Sequence, residues 1–453
     1  MPHGSSAKAT RRSETRLRVA IMAADSFAAP YLASYRPAPG EPRWLVEGRE
    51  AALARFAELG LPTRREEAWR FTDLRPLQKT AYPPAAAGAR SSDFHITPWR
   101  LAGAAWRIVL VDGVFAPKLS ALDGLPKGAW LASTATTLSE RPDLLEEALA
   151  ADTNARQPFA ALNAALFADG WVLALEPGVV LDRPVEVIHL ARGAEPRSVH
   201  PRSAALLGAG SSARIVETFA GTGDYWTNAA SAVRVGPGAG LTHVRVQDEG
   251  SRAIHLALTQ VRLAEAARYY GFALTLGARL SRLDLQVRFD GAGATCGLDG
   301  AYLLRGEQEA TTATFIDHAS PEGTTRELFK GVVEDRAHGV FLGRIAVREQ
   351  AQKTDAQQTN RNLLLSRRAA IDTKPELEIL ADDVKCAHGA TVGDLDEEQM
   401  FYLRSRGLAE EDARRLLVEA FAAEALDRVE DPDLREPLAR HLRRWLEGTG
   451  SDA

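Results

Sequence analysis

Apolar and polar residues alternate with a period of two through the middle of the chain. Leu283, Leu285, Val287 and Phe289 are separated by charged or polar residues, and a glycine-rich turn follows at 291–293. Similar short runs, each ended by turn residues, recur between Gly170 and Leu380. Because successive side chains of a strand point to opposite faces of a sheet, this pattern predicts a strand-rich region bounded by turns.

The arrangement of these strands argues against a doubly wound α/β sheet. Such a sheet needs a helix of about 10 to 15 residues between successive strands. No strong helical pattern of that kind appears between Gly170 and Leu380. A long β-solenoid and one or two β-sandwiches remain as alternatives. The solenoid is slightly favoured because it accommodates many short, irregularly spaced strands in one continuous core, although no strict repeat is visible.

Helical periodicity flanks the strand-rich region on both sides. Apolar residues recur at helical spacing over 49–59 and again over 158–167. Beyond Gly393, helices are predicted over 397–403, from Glu410 to an end at Pro432, and over 438–446. The predicted domains are an N-terminal tail and helical domain (1–100), a β core with a helical insertion near 140–170 (101–393), and a C-terminal helical domain (394–453).

Composition and charge exclude several classes of function. The formal net charge of -5, with both signs mixed along the chain, gives no overall attraction for nucleic acid or anionic lipid. No apolar run reaches the roughly 18 residues that a membrane helix needs. Only Cys296 and Cys386 occur, which excludes a disulfide framework and favours a reducing compartment, so we expect a cytoplasmic protein. The phosphate-loop motif is absent, so the chain itself is not expected to hydrolyse ATP.

Cys386 and His388 are the candidate metal ligands. On a strand, residues separated by one position point to the same face, roughly 6.5 to 7 Å apart. Thiolate and imidazole both bind iron or zinc, and a protonated histidine nearby would favour the thiolate. Taken alone, such a pair is more often a structural cysteine beside a hydrogen-bonded histidine. Two cysteines cannot hold a four-thiolate cluster, so any cluster bound here must take ligands from elsewhere.

Other polar residues are interpreted as structural. His318 and His338 each follow an aspartate closely, but in a β-rich core such residues are usually satisfied by hydrogen bonds. Cys296 is predicted to pack as a small buried residue. The amide-rich segment 353–366 predicts either hydrogen-bonded side-chain ladders or a solvated polar face.

Four landmarks place the candidate ligands in a wider context. They are Gly60-Leu61-Pro62-Thr63 with Glu66, Glu67, Trp69, Phe71 and Thr72; Phe159, Ala161, Leu162 and Asn163 with Asp169-Gly170; Lys330-Gly331 with Val332, Ala337 and Gly339; and the run from Lys353 to Gly393. Their order and content resemble the SufB/SufD family of the SUF iron-sulfur cluster assembly system. The Cys-Ala-His-Gly-Ala-Thr pattern at 386–391 resembles D-type members more than B-type members, whose corresponding stretch is similar to His-Glu-Ala-Thr.

The resemblance implies both a fold and a function. The fold would be a right-handed parallel β-helix flanked by helical N- and C-terminal domains. The chain would be a non-enzymatic scaffold subunit, joined to SufB through the late β-helix strands and to the ATPase SufC through the C-terminal helical domain. A transient iron-sulfur cluster would form at the SufB interface, with His388 as a contributor and Cys386 as its companion. Whether the isolated subunit forms a homodimer stays open.

Two other functions remain as alternatives. A purely structural partner would order SufB and SufC without binding the cluster. A carbohydrate-active β-helix enzyme would work through paired carboxylates in a groove rich in acids and aromatic residues, and the sequence shows no such concentration.

Overall fold

Among the described residues, a single eighteen-stranded sheet, wound for most of its length into a parallel β-helix, forms the core of the molecule. The computed structural model of the chain describes residues 27–37, 40–85, 94–150 and 157–448, so the predicted N-terminal tail lies outside the described residues. The strands are β1 (Trp106–Val111), β2 (Val114–Phe115), β3 (Ala129–Ser133), β4 (Trp171–Leu175), β5 (Val185–Val199), β6 (Arg202–Leu207), β7 (Ser212–Val235), β8 (Gly240–Glu249), β9 (Ile254–Leu263), β10 (Arg268–Thr275), β11 (Leu280–Phe289), β12 (Thr295–Leu304), β13 (Glu309–His318), β14 (Thr324–Val333), β15 (His338–Val347), β16 (Asp355–Leu364), β17 (Ala370–Ile379) and β18 (Lys385–Gly393).

Strand pairing shows how the β-helix is wound. From β8 onwards each strand pairs in parallel with the second strand after it, so that even-numbered and odd-numbered strands form two faces. Arg268, Thr295, Thr324, Asp355 and Lys385 occupy equivalent positions, so successive turns advance by 27, 29, 31 and 30 residues. The solenoid prediction is confirmed and the sandwich alternative is wrong. The uneven turn length explains why no strict repeat is visible in the sequence.

Inward-facing side chains fill the lumen of the β-helix in stacked layers. Equivalent positions of neighbouring turns lie about 4.8 Å apart, so inward residues in register pack directly on one another. Burying a large apolar side chain of this kind contributes about 1.5 to 3 kcal/mol. Members of this core include Leu298, Phe329, Phe341, Ile345 and Val347.

N-terminal helices pack against the outside of the β-helix. The described helices that precede β4 or lead into it are α1 (Ala29–Ser34), α2 (Arg43–Leu59), α3 (Arg75–Lys79), α4 (Thr134–Glu140), α5 (Asp143–Ala150) and α6 (Pro158–Leu166). The Trp226 ring of β7 meets the rings of Tyr31 and Phe159 edge-on, with centroids 5.8 and 5.6 Å away. The Arg282 guanidinium lies 4.0 Å from the centre of the Trp69 ring. The N-terminal landmark residues therefore attach helices to strands.

The C-terminal helices are α7 (Glu397–Ser405), α8 (Glu410–Leu426) and α9 (Pro432–Leu446). Buried Lys330 of β14 attaches α8 through an ion pair with Glu424, and its Nζ lies 4.0 Å from the centre of the Phe421 ring. The prediction that Pro432 ends α8 is wrong, because Pro432 begins α9. Proline suits the first helical position, where its missing N–H would have no intrahelical partner. In the described part of the chain, no helix has both the length and the apolar character needed to cross a membrane.

Candidate functional site

Cys386 and His388 lie on β18, the last strand of the β-helix. In register they stack on Ala356 and Gln358 of β16, which are buried inside the lumen. The two candidate ligands therefore share the inward face of their strand, as the spacing predicts. Because no further turn of the β-helix follows β18 in the part of the chain that the structure describes, Cys386 is only partly buried and His388 is exposed.

The Cys386 thiol is held in its neutral form. Partial burial raises the pKa of Cys386 above its ordinary value, and the negative charge of Asp355 acts in the same direction. Neither the burial nor the charge of Asp355 favours the thiolate at this position. A thiol of this kind loses its proton when a metal ion binds to the sulfur, because the metal competes directly with the proton.

The described residues provide too few ligands around this pair to enclose a metal ion. Nowhere within residues 27–37, 40–85, 94–150 and 157–448 do three or more His, Cys, Asp or Glu side chains form a group that could hold one. Lys385 points to the outer face of β18, and its backbone N–H donates to the Thr354 carbonyl over 2.8 Å. A metal bound at Cys386 and His388 would have to complete its coordination with groups from another molecule.

The free edge of the sheet runs along β18. In a parallel ladder, successive residues direct their N–H and C=O groups alternately to the two neighbouring strands. The Lys385 N–H bonds back to Thr354, the residue immediately before β16. The N–H groups of Cys386, His388 and Ala390 consequently point to the free edge, where no strand among the described residues pairs with them.

The neighbouring edge on β17 differs because it is interrupted by a proline. The Leu380 N–H donates to the Val347 carbonyl over 2.9 Å, which directs the even-numbered N–H groups of this segment towards β15. Pro375 therefore stands at a position whose N–H would face the free edge. A proline at an edge removes a donor and discourages pairing with another strand. Of the two terminal strands, β18 offers the continuous row of donors and acceptors.

Exposed apolar side chains accompany this end of the β-helix. Ile379 and Val392 lie on the inward-facing sides of β17 and β18. They remain 40% and 45% exposed, because no further turn of the β-helix packs on them in the described part of the chain. Leu380 next to them is 56% exposed. Ile379 and Leu380 lie at the end of β17 and Val392 lies near the end of β18, so apolar side chains are exposed along both terminal strands.

The two histidines and the cysteine that the sequence predicts to be structural are buried in the lumen or hydrogen-bonded at its border. His318 is buried, its Nε2 lies 2.9 Å from Thr325 Oγ1, and burial lowers the pKa of His318 to about 4. Cys296 is buried, which raises the pKa of its thiol well above the ordinary value. His338 pairs with Asp372 one turn away, over 2.8 Å, rather than with its sequence neighbours.

The amide-rich segment forms β16 and turns its amides inward. Gln358, Asn360 and Asn362 are each at most 2% exposed. Asn362 Nδ2 donates to Asn360 Oδ1 over 2.7 Å, and Gln358 Nε2 donates to Glu327 Oε2 over 2.6 Å. The ladder interpretation holds for these inward amides, while Gln357 and Arg361 on the outer face of the same strand are exposed.

A buried carboxylate network in the lumen was not predicted from the sequence. Glu217 accepts hydrogen bonds from Trp171 Nε1 and Arg245 Nη2, both over 2.8 Å. Its oxygens also lie 2.9 Å from His189 Nε2 and 3.3 Å from His243 Nε2. Burial alone would raise the pKa of Glu217, but the guanidinium and the two imidazoles hold it well below its ordinary value. The carboxylate is therefore ionised inside the core.

Comparisons with known proteins match nearly the whole chain. Residues 189–421 match the family model described as SUF system FeS cluster assembly, SufBD core domain, and residues 39–187 match the SufBD protein N-terminal region. The chain is 34% identical over 402 residues to an iron-sulfur cluster assembly SufBD family protein of Synechocystis sp., covering 85% of this chain and 87% of the relative.

Two further relatives extend the similarity. Iron-sulfur cluster assembly protein SufD of Escherichia coli is 31% identical over 401 residues, covering 87% of this chain and 92% of the relative. Protein ABCI7, chloroplastic, of Arabidopsis thaliana is 28% identical over 461 residues, covering 97% and 95%. With both family regions matched in order, the chain belongs to the SufBD family of the SUF iron-sulfur cluster assembly system.

Proposed function

We propose that the chain is a D-type scaffold subunit of the SUF system, on which a nascent iron-sulfur cluster forms at an interface with SufB. One observation carries the proposal: the strand that bears Cys386 and His388 lies at the uncovered end of the β-helix. A second chain docked there would extend the sheet, and its side chains would complete the set of metal ligands. The similarity to SufD of Escherichia coli supports the assignment to the D type.

The iron and sulfide are cargo, and the chain contributes part of their coordination. Cys386 loses its proton as the bond between iron and sulfur forms, and His388 coordinates through a ring nitrogen. The remaining ligands come from SufB, because a cluster ordinarily takes four protein ligands. Cys296 has no part in this site, since its thiol is enclosed in the core.

The subunit is non-enzymatic and works in the cytoplasm with an ATPase partner. SufC binds the C-terminal helices and supplies the energy of ATP hydrolysis. Three large apolar side chains on α7 and α8 support this docking site, since Phe401, Tyr402 and Leu416 are 75%, 56% and 46% exposed. Helices that present such residues to solvent are typical of surfaces that bind another protein.

Replacing both candidate ligands should prevent cluster formation without disrupting the complex. The double variant Cys386→Ser/His388→Ala, purified anaerobically with SufB and SufC, should hold at least about tenfold less iron and sulfide, since even outer partners of metal ligands are worth 10- to 100-fold in affinity. Lys385→Ala, on the outer face of the same strand, serves as the matched control and should retain both elements. If the double variant forms an intact complex with normal iron and sulfide, the purely structural role is correct instead.

The pairing of SufB with β18 can be tested by removing one edge donor. Ala390→Pro deletes an N–H that faces the free edge and leaves the ladder to β16 intact, so the fold should persist while affinity for SufB falls about tenfold or more. Ala390→Ser keeps the N–H and should bind SufB as the wild type does. Affinity can be measured by calorimetry, with circular dichroism as a check on folding. Equal affinity of the two variants would show that SufB does not pair with this edge.

A further inference from the structure

Gln358 lies directly beneath His388 in the lumen of the β-helix. The register of β16 and β18 pairs the two residues one turn apart, and adjacent strands are separated by about 4.8 Å. Both have the inward phase of their strands. The Gln358 side chain is buried, so only neighbours in the lumen can satisfy its amide.

Glu327 determines which end of the Gln358 amide faces the next turn. It is the register partner of Gln358 on the opposite side, and its Oε2 accepts a hydrogen bond from Gln358 Nε2 over 2.6 Å. The ionised carboxylate, which is present above the pKa of about 7 that burial gives Glu327, can only accept hydrogen bonds, so the amide nitrogen must face it. The amide oxygen, Gln358 Oε1, then faces away from Glu327. It is buried without a hydrogen-bond partner. An unsatisfied buried acceptor costs about 1 to 3 kcal/mol, which favours a donor in the next layer.

Gly343 provides the space in which this amide lies. A Cβ at position 343 would stand 2.3 Å from Gln358 Nε2 and 2.7 Å from its Oε1. Both distances are far below van der Waals contact, so any larger residue would displace the amide. The Gln358 amide is thus hydrogen-bonded to Glu327 and packs against the backbone of β15 at Gly343.

We infer that Gln358 is a positioning residue for His388, an inference that rests on the function proposed above for the histidine. Its Oε1 has no partner in the structure, and an inward turn of the exposed His388 ring lets one ring N–H donate to it, which fixes the tautomer of the imidazole. The second ring nitrogen is then unprotonated and directed to the open end of the β-helix, where iron would bind. Histidines that bind metals generally donate their other ring N–H to a carbonyl or carboxylate, and this partner sets the ring orientation.

The tautomer of His388 in the metal-free full chain tests this hydrogen bond directly. With 15N-histidine labelling, long-range proton–nitrogen NMR should show a single dominant tautomer in the wild type; His388→Ala assigns the signal. The measurement is made at about pH 8, above the pKa of about 7 to which burial raises Glu327. In Gln358→Met, which keeps the side-chain volume, both tautomers should be populated. Gln357→Met, on the outer face of the same strand, is the matched control and should leave the tautomer unchanged.

Two further measurements separate this inference from the proposed function. Gly343→Ala keeps Gln358 but displaces its amide, so it should mix the tautomers as Gln358→Met does. In the complex with SufB, Gln358→Met should weaken iron binding by roughly tenfold. A wild-type tautomer in both Gln358→Met and Gly343→Ala would overturn the positioning role. Cluster formation that survives the loss of His388 would overturn the proposed function, and the tautomer measurement would still stand by itself.

Discussion

Glu217→Gln is expected to lower the free energy of unfolding by about 3 to 5 kcal/mol, the usual result of leaving a buried charge without its partner. In the wild type the carboxylate balances the buried Arg245 guanidinium and accepts from Trp171. A neutral glutamine cannot balance that charge, and its NH2 group would face donors instead of accepting from them. The loss is measured by urea denaturation followed by circular dichroism.

A matched substitution on the surface separates this effect from the general effect of removing a carboxylate. Glu378 pairs with Arg344 on the outer face, where both side chains are about half exposed. Because exposed ion pairs contribute about 0 to 1 kcal/mol, Glu378→Gln should change stability by less than about 1 kcal/mol. If the two variants unfold at the same urea concentration, the lumen network around Glu217 does not hold the β-helix together.

The β-helix could be predicted from the period-two pattern, but its layers could not. A single strand shows its inward face, as the apolar phase of Leu283, Leu285 and Val287 does. Which residue stacks on which depends on turn lengths that vary from 26 to 32 residues. Turns of unequal length leave no fixed repeat in the sequence, so the register becomes known only once the chain is folded.

The same reason explains why the buried polar network was missed. Glu217 alternates with the inward-facing residues Ile215 and Phe219, and this position is the one feature of the sequence that indicates a buried carboxylate. Its partners Trp171 and Arg245 are 46 and 28 residues away and reach it only through the winding of the β-helix. Gln358 likewise meets Glu327 because a turn of 31 residues separates them.

The candidate site was predicted in part. The spacing of Cys386 and His388 gave their common face, because strand geometry alone determines it. This face stays uncovered because the chain leaves the β-helix after Gly393, where helical periodicity in the sequence predicts the end of the β core. The raised pKa of Cys386 was also unpredictable, because it arises from burial against the preceding turn and from Asp355.

Other landmarks of the family sequence hold the parts of the fold together. Asn163 of α6 donates to the backbone carbonyls of Pro201 and Asn228 over 2.9 and 2.7 Å, which ties a helix to two turns of the β-helix. Lys330 ties α8 to β14 in the same way. Landmark residues therefore serve two purposes, attachment of helices in the body of the molecule and candidate chemistry at its open end.

Glu327→Gln is expected to change how stability depends on pH. Burial raises the pKa of Glu327 from 4.5 to about 7. Between these pH values the unfolded chain has released the proton while the folded chain still holds it. The folded state therefore loses stability as pH rises from about 4.5 to about 7, and the loss amounts to about 3 kcal/mol for this pKa difference.

The glutamine variant has no proton to release at this position, so subtracting its free energy of unfolding from that of the wild type isolates Glu327. Urea denaturation at several pH values should show the variant gaining about 3 kcal/mol on the wild type between about pH 4.5 and pH 8, whatever their difference at the acid end. A constant difference across this range would mean that Glu327 does not hold its proton in the folded core. The carboxyl would then be ionised throughout this range, and it would accept from the Gln358 amide below pH 7 as well, so the stability measurement also shows at which pH the form that orients Gln358 towards His388 is present.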